Sequence, residues 1–120
     1  MVCHVALFRP KAGLSAADRS ALVSVLDKAL RGIPTIRRFE IGRRVRHGAG
    51  YEALMSVDLE YAAVIEFDDL AGLQAYLAHP AHQALGRQFM QSLEASAIYD
   101  YEMVGAAELL RLASESPRNG

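Results

Sequence analysis

The sequence predicts an α+β domain with the element order β-α-β-β-α-β. Strand-like runs at both ends and in the middle of the chain flank two segments whose apolar residues recur at helical spacing. The chain has 120 residues, which is about the size of one domain. Hydrophobic residues make up 52% of the sequence, enough to build a core. We therefore expect a single folded domain of mixed class.

The first half of the chain contains a strand, a helix and a second strand. Residues 2–9 form an apolar run that should end at Pro10, because proline cannot donate to a β-ladder. Ser15 is the predicted N-cap of a helix over 16–31, which Gly32 terminates. The next predicted features are a strand over 36–45, a bulge or close backbone approach at Gly42, and a glycine loop over 48–50.

The second half repeats this order, with a break in its helix. A strand is predicted over 59–67 from its period-two alternation, followed by a helix that opens at Asp68. That helix should break at His79 and restart at Pro80, because the residue before a proline avoids the α region. The remaining predictions are a last strand over 98–104, a short helix over 106–113 and a frayed tail over 114–120.

This order is the ferredoxin-like motif, a four-stranded antiparallel sheet with its helices on one face. The opposite face should carry Ala62, Val64, Tyr99 and Tyr101, and is too apolar to be left in water. A second copy of the chain could cover it, sheet against sheet, which predicts a homodimer.

Several classes of protein are excluded. A net charge of −1 disfavours a nucleic-acid-binding protein, and the lack of a long apolar run disfavours a membrane protein. Cys3 is the single cysteine, so there is neither an intramolecular disulfide nor a multi-cysteine zinc site, which favours a cytoplasmic location. His79 and His82 have ligand spacing, but Pro80 breaks the helix that would align them. We predict no metal and no cofactor.

Four polar residues could carry chemistry. His82 shares an apolar stripe with Leu85 and Phe89, so its ring should point inward, either as a core histidine or as a general base. A buried histidine needs a partner, and Asp100 in the last strand could accept its hydrogen bond. His4 lies within the apolar first strand, and Tyr76 lies one turn before His79; both side chains could reach the same interior.

Five segments together resemble the stress-responsive A/B-barrel (Dabb) domain family. They are the strings CHVALF at 3–8, FEIG at 39–42, VIEF at 64–67, AYLAHPAH at 75–82 and YDYE at 99–102. The resemblance covers residues 2–104 and leaves 105–120 as a C-terminal extension. It implies a ferredoxin-like subunit whose sheet pairs with that of its mate in a dimeric α/β barrel.

The resemblance also implies site residues. In a characterised relative, a plant olivetolic acid cyclase, the acid–base groups correspond to His82 as base, Asp100 as the carboxylate that orients it and Tyr76 at the substrate carbonyl. His4 matches a histidine of that pocket, and Tyr61 stands where the cyclase has another histidine. Substrate contacts are expected from Tyr61, Phe8, Ile65 and Phe89. Some plant members hold magnesium on backbone carbonyls, here matching Leu30, Ile33 and Ile36, but such ligation leaves no sequence signature.

Three functions follow as hypotheses. The first is a dimer with an apolar pocket that binds a small molecule without catalysis. The second is a lyase that closes a ring by an aldol reaction. The third is a monooxygenase of the same fold. Such enzymes generally rely on a tryptophan in their pocket, and this sequence has no tryptophan, which disfavours the third hypothesis. A cavity of roughly 300 Å³ or more, lined by His82 and Tyr76, would favour chemistry.

Overall fold

The structure, a computed structural model, describes residues 1–114. The strands are β1 (Val2–Pro10), β2 (Arg38–Arg43), β3 (Tyr61–Phe67) and β4 (Leu93–Glu102); the helices are α1 (Ala16–Gly32), α2 (Leu70–Ala78), α3 (Pro80–Ser92) and α4 (Leu109–Ser114). Two 3₁₀ segments, Gly50–Leu54 and Ala106–Glu108, lie in the connections. The tail predicted over 114–120 falls outside the described residues except for Ser114.

The strands form one antiparallel sheet in the order β2-β3-β1-β4. Side chains of α1, α2, α3 and β3 share one core, so these helices cover a single face of the sheet. The predicted ferredoxin-like α+β fold is confirmed. At the centre of this core lie Phe67 and Tyr76, which are almost completely buried.

Side-chain caps define the helix boundaries that the sequence predicted. Ser15 accepts a hydrogen bond from the amide of Asp18 at the start of α1, and Asp69 caps α2 in the same way through Gly72. The break before Pro80 is confirmed. His79 ends α2 in an extended conformation, and its Nδ1 accepts a hydrogen bond from the amide of Ala81 to cap α3.

Several predictions about the strands need correction. β4 begins at Leu93, five residues before the predicted start, because residues 93–97 pair with β1 although their own sequence is not strand-like. It ends at Glu102, two residues before the predicted end. β2 is shorter than predicted at both ends, and β3 begins two residues later than predicted, at Tyr61. Gly42 forms neither a bulge nor a close approach: the β2–β3 register is unbroken there, and an added Cβ would meet open space.

The face of the sheet opposite the helices carries a row of apolar side chains. Tyr99 pairs with Val5, and Val5 pairs with Val64, so these three residues form one outward row across β4, β1 and β3. Tyr99 and Tyr101 remain 57% and 50% exposed. The apolar second face that the sequence predicted is therefore present on the described chain.

Helix length and composition also bear on membrane insertion. The longest helix, α1, has 17 residues. Over the part of the chain that the structure describes, no helix is long and apolar enough to cross a bilayer.

Candidate active site

A cavity of about 400 Å³ lies between the helix-covered face of the sheet and helices α1 and α3. We call it the histidine cavity; its polar lining includes His4, Tyr76, His82, Glu94 and Ser96, and its apolar lining includes Ala6, Leu26, Ala63, Ile65, Leu85, Phe89 and Ile98. Met90 and Ile98 belong to this lining and are also exposed, which places the mouth between α3 and β4.

Small residues create this empty space. Ala6 of β1 and Ala63 of β3 are direct cross-strand partners, and both are buried in the floor of the cavity. Gly86 of α3 also lines the cavity, and an added Cβ there would meet no atom within 4 Å. With only methyl groups at these two sheet positions and a hydrogen at this helix position, no side chain fills the space between them.

His4 and Asp100 form a hydrogen-bonded pair at the cavity wall. They are direct partners in the β1–β4 register, and His4 Nδ1 lies 2.6 Å from Asp100 Oδ1. Because an ionised carboxylate only accepts hydrogen bonds, this contact requires the proton on Nδ1, which leaves Nε2 of the neutral ring as the basic atom. His4 is only 5% exposed, whereas Asp100 remains accessible to solvent.

This pairing corrects the prediction that Asp100 orients His82. The Asp100 carboxylate is bound to His4, and within residues 1–114 no hydrogen bond joins it to His82. The reason lies in the register: a residue of β4 directly opposite His4 has its side chain next to the His4 ring.

Tyr76 supplies a phenol that stays protonated. Burial, aided by the negative charge of Asp100, raises the pKa of Tyr76 to about 12. Tyr76 lines the cavity, and its hydroxyl makes no hydrogen bond within the described chain. This hydroxyl is therefore a candidate hydrogen-bond donor to a ligand in the cavity.

His82 packs beside Tyr76 at the start of α3. Its ring centroid lies 4.6 Å from that of Tyr76, and the Tyr76 ring lies 5.5 Å from that of His4. Burial lowers the pKa of His82, the nearby His4 lowers it further, and a hydrogen bond with the backbone of Leu77 opposes both effects. His82 is thus a neutral imidazole at neutral pH, facing the cavity as the helical spacing predicted.

The lowered pKa of His82 makes stability depend on pH. The unfolded chain takes up a proton at this residue near pH 6.5, whereas the folded chain resists protonation to a lower pH. The free energy of unfolding should therefore fall as the pH drops below about 6.5. Urea unfolding at neutral pH and at about pH 5.5 would measure the fall, which should be smaller in His82→Gln than in the wild type. An equal fall in both proteins would contradict this origin.

The four expected substrate contacts divide between two cavities. Ile65 and Phe89 line the histidine cavity. Phe8 and Tyr61 instead line a second cavity of about 360 Å³, together with Leu22, Val23 and Ile41. Leu26 is common to both cavities.

Some lining residues were not anticipated from the sequence. Glu94 and Ser96 line the cavity because β4 begins earlier than predicted, and Arg9 Nε donates a hydrogen bond to Glu94 Oε2. Pairs of small residues such as Ala6 and Ala63 are a signal that could have indicated the void, but only once their cross-strand register is known.

Metal ligation has no support from the described side chains. Nowhere in residues 1–114 do three or more histidine, cysteine or acidic side chains come close enough together to hold an ion. His79 is occupied as the cap of α3. Cys3 lies on the opposite face of the sheet, in the same row as Tyr101, and burial raises the pKa of its thiol.

Similarity to known proteins extends over almost the whole chain. The family model described as Stress Responsive A/B Barrel Domain matches residues 2–103. No curated protein matches the sequence significantly. A crystal structure of an Arabidopsis thaliana protein superposes with a TM-score of 0.71 at 23% identity, covering 88% of this chain and 98% of that one.

Two further structures share the fold. A dimeric ferredoxin-like protein of unknown function from Thermobifida fusca has a TM-score of 0.66 at 22% identity, over 85% of this chain and 90% of that one. A hydroxynitrile lyase from Passiflora edulis has a TM-score of 0.66 at 17% identity, over 83% of this chain and 90% of that one. At these identities the likeness concerns the fold alone.

Proposed function

The chain belongs to the stress responsive A/B barrel domain family, and from that premise we propose that it binds a small, largely apolar carbonyl compound and removes a proton from the carbon next to the carbonyl. The observation that carries this proposal is the hydrogen bond between Asp100 and His4, whose buried ring lies in the wall of the histidine cavity. A histidine held by a carboxylate is a common general base, and here it faces an apolar space that could hold the substrate.

The proton transfer can be written for these side chains. Nε2 of His4 takes the proton from the α-carbon, and the electrons of the broken C–H bond form an enolate. Asp100 stabilises the imidazolium that results. The phenol of Tyr76 donates a hydrogen bond to the enolate oxygen, and its raised pKa keeps its proton available for that role.

The enolate has two fates. The His4 imidazolium can exchange its proton with solvent and then protonate the enolate carbon, which replaces the α-hydrogen by one from solvent. If the ligand carries a second carbonyl, the enolate carbon can attack it, forming a carbon–carbon bond while the new alkoxide takes the proton from His4. The second route is the aldol closure expected from the resemblance, with His4 in place of His82 as the base. The hydroxynitrile lyase of similar fold supports a lyase on this scaffold.

Deuterium exchange tests the proposal without knowledge of the natural substrate. The purified protein in D₂O is mixed with the methyl ketone 2-heptanone, and NMR follows deuterium incorporation next to the carbonyl. We expect saturable exchange with the wild type and its loss in His4→Asn. His47→Asn is the matched control, because His47 is an exposed residue outside the cavity lining.

The remaining outcomes separate the two leading hypotheses. Saturable binding of the ketone with no exchange by the wild type would contradict the proposed chemistry and support the non-catalytic pocket. Exchange that is lost in His82→Asn but retained in His4→Asn would show that His82, and not His4, is the general base.

We also propose that the chain forms a homodimer through the outward face of its sheet. The row Tyr99–Val5–Val64 offers an apolar surface, and the Thermobifida fusca protein of the same fold is described as dimeric. Val64→Arg would place a charge in the middle of this surface. Sedimentation equilibrium should give twice the 13.1 kDa chain mass for the wild type and the chain mass for Val64→Arg. A monomeric wild type at micromolar concentration would contradict the proposal.

A further inference from the structure

The histidine cavity and the second cavity are neighbours with one shared wall. Phe89 lines only the histidine cavity, Phe8 lines only the second, and Leu26 lines both. The Phe8 and Phe89 rings are in contact, with centroids 5.2 Å apart. We call these three side chains the partition.

Two members of the partition, Phe8 and Phe89, belong to a small packing cluster. Phe8 is buried with Ala6 and Ala63, and Phe89, Tyr61 and Leu93 pack against that cluster. The Tyr61 ring stacks on that of Phe8 at a centroid distance of 5.7 Å. Leu26 alone at one point, and the two contacting rings of Phe8 and Phe89 at another, therefore separate two largely apolar spaces of similar size.

From this arrangement we infer that the partition sets the length of the apolar chain that a ligand of the histidine cavity can carry. His4, Tyr76 and His82 lie together at one end of the cavity, whereas Glu94 and Ser96 are exposed residues of β4 at its mouth. A carbonyl compound held by the first group would direct its alkyl chain along the apolar lining toward Phe89 and Leu26. The preferred ligands are then compounds with one compact polar head and an unbranched chain that ends at this wall. The inference rests on the proposed function only for the identity of the polar head.

Two ligand series measure this limit. The first runs from 2-pentanone to 2-undecanone, and the second consists of n-alkylbenzenes of matching length, which lack a carbonyl. Affinity is measured by titration calorimetry. Each buried methylene should raise the affinity by about fourfold until the chain meets the partition, after which the affinity should stop rising.

Two variants remove side chains of the partition, and a third variant is the matched control. Leu26→Ala and Phe89→Ala each remove part of the partition, so that either one suffices if the other folds poorly. In these two variants the affinity should continue to rise with chain length, so that the longest ketone binds at least about tenfold more tightly than it does to the wild type. Leu22→Ala is the control, because Leu22 lies one turn away on α1 and lines only the second cavity.

The outcomes distinguish this inference from the proposed function. The inference would be overturned if the chain length at which the affinity stops rising were unchanged in both partition variants. It would also be overturned if Leu22→Ala shifted that length as much as they do. A shifted limit for both series, together with no deuterium exchange of the ketone, would overturn the proposed chemistry and leave the partition established. Failure of both series to bind the wild type would overturn both.

Discussion

Replacing Asp100 by Asn is expected to slow α-deuterium exchange of 2-heptanone by about 10²-fold or more. Asn can still accept a hydrogen bond from Nδ1 of His4, but it carries no negative charge to stabilise the imidazolium that forms when Nε2 takes up the proton. The change is isosteric and Asp100 is not among the residues that line the cavity, so the affinity for the ketone should remain similar. The rate is measured by NMR, and the affinity by calorimetry.

The control for this substitution is Asp27→Asn, which removes an exposed carboxylate on α1 that pairs with Arg31. It should leave the exchange rate unchanged. An Asp100→Asn protein that keeps the wild-type rate while binding the ketone would show that the pair does not supply the base. The same measurements on His82→Asn would then decide whether His82 holds that role.

Phe67→Ala is expected to lower the free energy of unfolding by about 3–5 kcal/mol, a large fraction of the stability of a small domain. Phe67 is 0% exposed at the end of β3, in contact with the Tyr76 ring at a centroid distance of 5.2 Å. Its removal leaves a cavity in the main core, which the surrounding helices and sheet can fill only in part. Urea unfolding at one fixed protein concentration measures the loss, since dimer formation would make stability depend on concentration.

Phe39→Ala is the matched control for this prediction. Phe39 lies in the edge strand β2, faces the same core and is only partly buried. Phe39→Ala should lower the free energy of unfolding clearly less than Phe67→Ala does, because folding buries less apolar surface of Phe39 than of Phe67. Equal losses at the two positions would contradict the assignment of Phe67 to the centre of the core.

Local signals predicted much of the fold correctly. Ser15 and the His79–Pro80 step mark helix boundaries through hydrogen bonds and steric limits that act within a few residues, so they can be read along the chain. The inward orientation of His82 follows from helical spacing for the same reason. The start of β4 was misplaced because residues 93–97 become a strand only through their pairing with β1.

The sequence by itself determined the order of the elements, the apolar outer face and the presence of two histidines, a tyrosine and an aspartate close to one interior. Only the tertiary structure decided which histidine Asp100 holds, because a shift of one residue between β1 and β4 would turn that carboxylate to the other face. The tertiary structure likewise decided that Phe8 and Tyr61 face a second cavity. Contacts between distant segments determine which helix covers each part of a sheet, and these contacts cannot be read from local sequence.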